Sequence, residues 1–545
     1  MRKLISALLI LSMLVCMIPG MALTTSAEGA KIEPDTSWYI GHESETEYHL
    51  YDAADLLGFA SLIATAGGTY NDVFASKTVY IENDIDINPG WTVGDEAPSN
   101  VWPEMVRSRD FSGTIDGKGH TISGIYQVNG VSGDGLYAGI FANVKGGTAE
   151  IKNLVVVNSY SETKASDAQG FLFGATTTSA IVKLTDVYVD ATLVNTDKSG
   201  DVSGNGIGGL IGGTVYDKAG GQIIMTNCVF AGSIDVNLTS GTTYIGGLLG
   251  RYNTKWTTFT NCASYATIKG SVTGTTNLLV GGIVGDNIGQ NRLTFKNCIS
   301  APTFNNIKND GGNLYFGEFV GGSRYSGTSY SPFTFSDVIY TGSNALLGCV
   351  YAKGTTTFET SGTAYDASVK NEKSTKTDNL TTAVSAWTNW DTSTGKPLPK
   401  TVAEMLIDPV TEVAGYQATD ATGDKFSFRI VAVIDLKDGE SLADYEEVGF
   451  KVSATYAGLS TPMTKDYSTT TVYTSVTGDT ATGLVEYTAE DLGGDYIFAL
   501  ACKNVPANVG EITVTVTSYY KKVGGSVVDG ATQTLIVSVP KDAVN

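Results

Sequence analysis

Gly208-Gly209-Leu210-Ile211-Gly212 returns as Gly246-Gly247-Leu248-Leu249-Gly250, as Gly281-Gly282-Ile283-Val284-Gly285 and as Gly317-Glu318-Phe319-Val320-Gly321. Two looser copies precede these, Ala138-Gly139-Ile140-Phe141-Ala142 and Gly170-Phe171-Leu172-Phe173-Gly174. The last residues of successive copies, at 142, 174, 212, 250, 285 and 321, are 32, 38, 38, 35 and 36 positions apart. A second marker follows each copy in phase: Asn153-Leu154, Asp186-Val187, Asn227-Cys228, Asn261-Cys262, Asn297-Cys298 and Asp337-Val338. A period of this size is the signature of a stacked repeat, in which no single unit buries its core alone. Each five-residue motif places a short apolar strand between glycines, where neighbouring coils approach closely. The Asn or Asp marker sits just before an inward residue, and Asn at a corner tolerates left-handed backbone. Stacked Asn side chains can also bond along the ladder.

Composition agrees. There are 64 Gly among 545 residues, with abundant Thr, Ser, Tyr and Val, which suits turn-rich β structure. The length allows two or three domains. The net charge of −21 repels phosphate backbones and anionic lipids, arguing against nucleic-acid and peripheral-membrane roles.

Residues 1–27 read as a secretory signal peptide. Arg2 and Lys3 open it, Leu4 to Ile18 form the apolar run, and Thr25-Ser26-Ala27 supplies a small-residue cleavage site. The run is shorter than the ~20 residues a membrane span needs, and no later segment is long and apolar enough to cross. The expectation is a secreted or cell-surface protein without a membrane span after cleavage. Of the cysteines, 228, 262, 298, 349 and 502 follow the signal; an odd number without Cys-x-x-C is neither a disulfide framework nor a zinc site. Cys228, Cys262 and Cys298 share one repeat position. Stacked coils place them about 4.8 Å apart, as a ladder of small buried thiols.

In chain order, Tyr51 to Leu57 opens a short helix with Asp52 as its N-cap. Leu56, Phe59, Ala60 and Ile63 lie on one face, which suits a cap over the open coil end. Strands Thr78 to Ile81 and Asp84 to Ile87 follow. Asp84, Asp86 and Asn88 form a solvated strand face, or alternatively an oxygen set able to hold Ca²⁺. Phe111 to Ile125 is the first recognisable coil, with Ile115, Ile122 and Ile125 between Gly-rich corners.

That segment, together with the Gly-Gly-Leu-Leu-Gly and Thr-Asn-Cys repeats, resembles the GLUG-type repeat proteins exported by Gram-positive and gut bacteria, over roughly residues 50–400. The resemblance implies a right-handed parallel β-helix, often in adhesin-like or other surface proteins. It implies no particular ligand and no catalytic residues. The expected organisation is a signal peptide (1–27), a capped parallel β-helix with six repeats (28–353), a C-terminal cap and linker (354–408) and a β-sandwich (409–545). Trp387 and Trp390 are expected to plug the end of the coil stack, and Gly395-Lys396-Pro397-Leu398-Pro399 to mark the exit. Beyond it the period stops. Lys425 to Asp435, Val448 to Tyr456, Thr471 to Val476, Tyr496 to Lys503, Glu511 to Tyr520 and Thr532 to Val539 read as the strands of a sandwich, with Cys502 in its core.

Composition separates the two arcs of each coil. The arc between motif and marker carries Tyr216, Asp217, Arg251, Tyr252, Trp256, Asp286, Arg292, Arg324, Tyr325 and Tyr330; the other is mostly Ser, Thr, Gly, Asn and Asp. Coils stacked in register bring the first arcs to one edge. Tyr216, Arg251, Tyr252, Trp256, Arg292, Arg324, Tyr325 and Tyr330 are the candidate ligand-binding residues there. Catalytic candidates are thin. Asp84, Asp86 and Asp116 have no basic partner in a repeating register, and Gly117-Lys118-Gly119-His120 reads as an ordinary Gly-rich turn. The three histidines, His42, His49 and His120, make no His-x-x-x-His pair, and no Gly-x-Ser-x-Gly elbow or phosphate loop stands out. Neither a metal site nor a cofactor is expected. The leading reading is adhesin-like, non-catalytic recognition of an extracellular glycan or surface protein. The alternatives are a structural spacer and a carbohydrate-active β-helix enzyme, a polysaccharide lyase or glycoside hydrolase.

Overall fold

A computed structural model describes residues 31–537, apart from 66–71, 105–109, 130–136, 197–204, 215–220, 323–332, 342–349, 352–362, 365–373, 419–424, 437–441, 477–486 and shorter stretches between them. The expected signal peptide, residues 1–27, and Cys349 lie outside the described residues. The chain divides into two compact units, Glu28–Leu406 and a second beginning at Ile407.

The first unit is a β-solenoid of about six turns. A central coil shows how the motif builds it. Asn205–Gly208 and Ile211–Thr214 flank the tight turn at Gly209-Leu210, then Gln222–Phe230 and Ser233–Leu238 complete the turn. The next coil repeats this order, and all inter-coil pairing is parallel. Strands before the tight turn stack as a six-stranded strip, those after it as a five-stranded strip, and the rest join one 19-stranded sheet.

Register makes columns of like residues. Ile151, Leu184, Met225, Phe259, Phe295 and Phe335 succeed one another inward, coil by coil. The rings of Phe259 and Phe295 stack at 5.0 Å, and those of Phe295 and Phe335 at 5.2 Å. Glycine is required in the turn because a Cβ on Gly282 would lie 2.1 Å from the Glu318 carbonyl oxygen and 2.0 Å from Ser300 Oγ. The six markers behave as their chemistry demands: Asn153, Asp186, Asn227, Asn261, Asn297 and Asp337 all have φ between 50° and 55°. Asn297 Nδ2 donates to Asn261 Oδ1 (3.3 Å), Asn261 to Asn227 (2.9 Å), and Asn227 to Asp186 (2.7 Å). The thiols of Cys228, Cys262 and Cys298 are free and fully buried. Burial raises the Cys262 and Cys298 thiols well above their ordinary range.

The N-terminal helix, α1 (Ala53–Thr65), forms as its sequence predicts. Asp52 Oδ1 accepts from the amides of Ala54 and Asp55, and Leu56, Phe59, Ala60 and Ile63 are buried. Phe59 lies 4.9 Å from Phe74 and 6.1 Å from Phe141, so the helix closes onto the core of the first coils.

The segment after the last coil departs from expectation. Trp387 and Trp390 do not plug the end of the stack. With α2 (Leu380–Val384), a short antiparallel pair and α3 (Lys400–Leu406), they form a strap along the outside of the solenoid. Val384, Trp390, Leu398, Val402 and Met405 bury the outward residues Val155, Val229, Ala263, Tyr265, Ile299 and Ile339, a second apolar cluster separate from the interior. The strap runs back toward the N-terminus, and Met405 reaches Gly119. Outward apolar residues on successive coils would otherwise face water; covering them is what the Trp pair does.

The second unit is an antiparallel sandwich. One sheet has the order β1-β2-β5 (Val410–Ala418, Lys425–Asp435, Tyr496–Pro506) and the other β4-β3-β6-β7 (Met463–Thr469, Tyr445–Tyr456, Ile512–Lys522, Val527–Val537). Phe450 and Phe498 meet between the sheets, ring centroids 4.9 Å apart. Two strands escape the sequence reading. Gly415, at a register shift with φ of 141°, interrupts the pattern of β1. In β4 the outward residues Thr464, Asp466 and Ser468 are exposed, and the inward set Met463, Lys465, Tyr467 and Thr469 includes a lysine and a threonine, so apolar alternation is lost. Expected strand Thr471 to Val476 reduces to Ser475–Val476.

Candidate functional site

Of the eight candidate residues, Arg251 and Trp256 are the two whose side chains are described, and they lie on different sheets. Trp256 opens the strand Trp256–Thr260, whose alternation buries Thr257 and Phe259 and leaves the indole 47% exposed. Register sets Trp256 between Gln222 on one neighbouring strand and Arg292 on the other. Arg251 belongs to the five-stranded strip, across residues 253–255, in register with Gly213 and Asp286. Its guanidinium lies over the Tyr244 ring, 5.1 Å from the centroid, and the side chain is half-buried. Tyr244 itself packs with Leu279 and Tyr315, its register neighbours along the strip. Tyr216, Arg324, Tyr325 and Tyr330 lie outside the described residues; for Tyr252 and Arg292 only the backbone is described.

A polar patch that the sequence reading dismissed occupies the outer face of the N-terminal coils. His49, Tyr80, Asp116 and Lys152 are register neighbours on four successive strands. The His49 and Tyr80 rings stack at 5.1 Å, and Lys118 Nζ sits 5.0 Å above Tyr80. Glu82 gathers two side chains: Lys118 Nζ donates to each carboxylate oxygen at 2.7 Å, and His49 Nδ1 lies 2.5 Å from Oε1. Lys152 pairs with Asp116 at 3.1 Å, and His120 Nδ1 lies 3.2 Å from Asp84. The expectation that Asp84 and Asp116 lack basic partners is therefore wrong. Glu82–Lys118, Asp84–His120 and Asp116–Lys152 are each 36 residues apart, so every partner comes from the next coil. The coil period, applied upstream of the recognisable motifs, would have found all three.

These charges balance each other. Burial pushes Glu82 and Asp116 up, but hydrogen bonds outweigh it and hold both below the usual carboxylate range: Lys118 and His49 on Glu82, and Asn153, the Lys118 amide and Lys152 on Asp116. Asp84 Oδ1 accepts from the Thr121 amide at 2.8 Å, and Asp86 from the Asn88 amide at 3.0 Å. Asn88 is buried, donating to the Asn100 and Gly124 carbonyls. The oxygen set considered for Ca²⁺ is thus engaged in tying corners. Among the described residues no group of three or more His, Cys, Asp or Glu is placed to hold a metal ion.

Arranged this way, the edge offers the exposed indole of Trp256 on a parallel ladder, and the N-terminal face offers carboxylates already paired with Lys and His. No family model, curated protein or solved structure matches the chain.

Proposed function

We propose that the protein is a secreted or cell-surface, non-catalytic recognition protein, kin to the GLUG-type repeat proteins, that binds an extracellular glycan or surface protein along the solenoid edge. The observation that carries this reading is Trp256, exposed at the head of its strand with Gln222 and Arg292 beside it in register. An indole face packs against the apolar face of a sugar ring, and an amide such as that of the neighbouring Gln222 supplies hydrogen bonds that orient it. Parallel coils repeat at about 4.8 Å, so such an edge suits an extended polymer better than a compact metabolite. The strap and the glycine-tight core favour a rigid platform, which lowers the ordering cost of binding.

The test is a glycan-array screen of residues 28–545, with and without Ca²⁺, carrying a polymer-cleavage readout. Saturable binding without turnover is expected, weakened at least tenfold in Trp256→Ala. Turnover would overturn the reading and direct attention to Asp84, His120, Asp116 and Lys152.

A further inference from the structure

The two sheets of the sandwich are not equally filled along their length. Where Phe450 faces Phe498 the interior is closed, and both rings are buried. Farther along the same strands the inward positions carry Val452 and Ala454 on β3, and Leu500 and Cys502 on β5. Sheets that pack about 10 Å apart need large side chains between them, and Ala and Cys leave the gap open. A cavity of about 350 Å³ results, floored by Phe428 and Ile430 and bounded by Ile512 and Val514. The inward residues Val452, Ala454, Leu500 and Cys502 are only half-buried. The gap lies between β4 and β5, the edge strands of their sheets.

Its chemistry is asymmetric. The walls are mostly apolar, yet edge strand β4 turns Lys465 inward between Met463 and Tyr467, while the exposed Thr464 borders the cavity and Asp466 faces solvent. Lys465 lies beside Val452 in register, with its ammonium 5.0 Å from the Tyr467 ring centroid. A cation on the inward face of an apolar gap complements an anionic head attached to an apolar body. The volume is more than twice the ~150 Å³ apolar cavity that takes up benzene, and within the range of about 300–1,000 Å³ of small-ligand sites.

We propose that this cavity binds a monocarboxylate with an aliphatic body of medium length, its chain between the sheets and its carboxylate at Lys465. The site is independent of Trp256 and is the sandwich's own function. The probe is dodecanoate, titrated calorimetrically into residues 28–545, with dodecan-1-ol as the uncharged control. Saturable binding of dodecanoate is expected. Ala454→Phe, which fills the gap, weakens it at least tenfold, and Lys465→Met weakens dodecanoate several-fold while leaving dodecan-1-ol unchanged. Lys465→Met keeps the apolar wall intact, so it decides the matter if Ala454→Phe fails to fold. Absence of saturable binding overturns the proposal and points to an apolar side chain of a protein partner as the occupant. Wild-type affinity in a folded Ala454→Phe variant also overturns it, and equal binding of acid and alcohol, unmoved by Lys465→Met, overturns the carboxylate assignment.

Discussion

The repeat glycines of the solenoid and Gly510 of the sandwich are fixed for different reasons, although Gly449 and Gly530 of the sandwich, like the repeat glycines, sit against neighbouring backbone. In the solenoid, Gly247 and Gly282 sit where the next coil's backbone leaves no room for a Cβ. In the sandwich, Gly510 has open space around it and is required only by its φ of 72°. The same contrast runs through the cores. Repeated register stacks like side chains in the first unit and fills its interior, whereas the second relies on pairs such as Phe450 and Phe498 and leaves a gap where small residues meet. A repeat solves the packing problem once and copies it; a sandwich must solve it at each level.

Breaking the copied solution has the largest effect. In Gly282→Ala the new methyl group would meet the Glu318 carbonyl and Ser300 Oγ, and the backbone contact cannot swing aside. A loss of about 3 kcal/mol or more is expected, seen as a large fall in the thermal transition of residues 28–406 with the sandwich transition unmoved. A common fall of both transitions would refute the separation of the two cores.

Glu318 tests a copy that departs from the pattern, since it stands where the three preceding coils have Gly209, Gly247 and Gly282. It is buried, and among the described residues neither carboxylate oxygen has a hydrogen-bond partner. Burial pushes it up to about 7, against a weaker downward pull from Lys376. Its unfolded counterpart titrates near ~4.3. Between those values the folded state keeps a proton that the unfolded state has lost, so stability falls as pH rises through the window and levels off above about 7. The loss is on the order of 3 kcal/mol. Glu82 and Asp116, held below their ordinary range, act with the opposite sign and only in more acidic solution. Denaturant melts at pH 4.5, 6 and 8 are expected to show the decline, and Glu318→Gln to abolish it; a persisting slope in that variant would assign the effect elsewhere.

How much of this was legible follows from where the information lies. The Asn and Asp markers announced their left-handed corners because few other residues tolerate them, and Asp52 with its apolar face announced α1. The strap was missed because residues 377–406 have a linker's composition. A signal existed in the coils themselves: Leu154-Val155-Val156 and Cys228-Val229-Phe230 are unbroken apolar runs, and alternation should have sent the middle residue to water. The charged pairs of the N-terminal face were hidden because each partner is one coil away. At the candidate edge, Trp256 could be named from its position in the repeat, but the Arg251 contact with Tyr244 depends on which strands lie side by side.

Asn261 separates the two contributions a marker makes. Asn261→Ala loses the side-chain bonds to Asn227 and Asn297 and places a Cβ residue without a local hydrogen-bond partner at φ of 52°. A loss of about 2 kcal/mol is expected. Asn261→Gly keeps the backbone conformation and loses only the ladder, so it should cost roughly half as much. Equal losses by equilibrium denaturation would mean that the ladder, not the corner, sets the need for Asn.

The smallest expected effect is the counterpart of the first. Gly510→Ala adds a methyl group that meets nothing within 4 Å, so no packing is disturbed. What is left is the conformational cost of a side chain at φ of 72°, at the end of the short helical turn Ala507–Val509. That cost is on the order of 1–2 kcal/mol, and it should appear only in the sandwich transition. Placed beside Gly282→Ala, it holds the chemical change constant and sets a left-handed backbone in open space against a site without a left-handed φ but with no room for a Cβ. A loss at Gly282 no larger than that at Gly510 would show that the coils shift to admit a methyl group; a larger one identifies the distance between coils as the constraint that the motif Gly-Gly-Leu-Leu-Gly encodes.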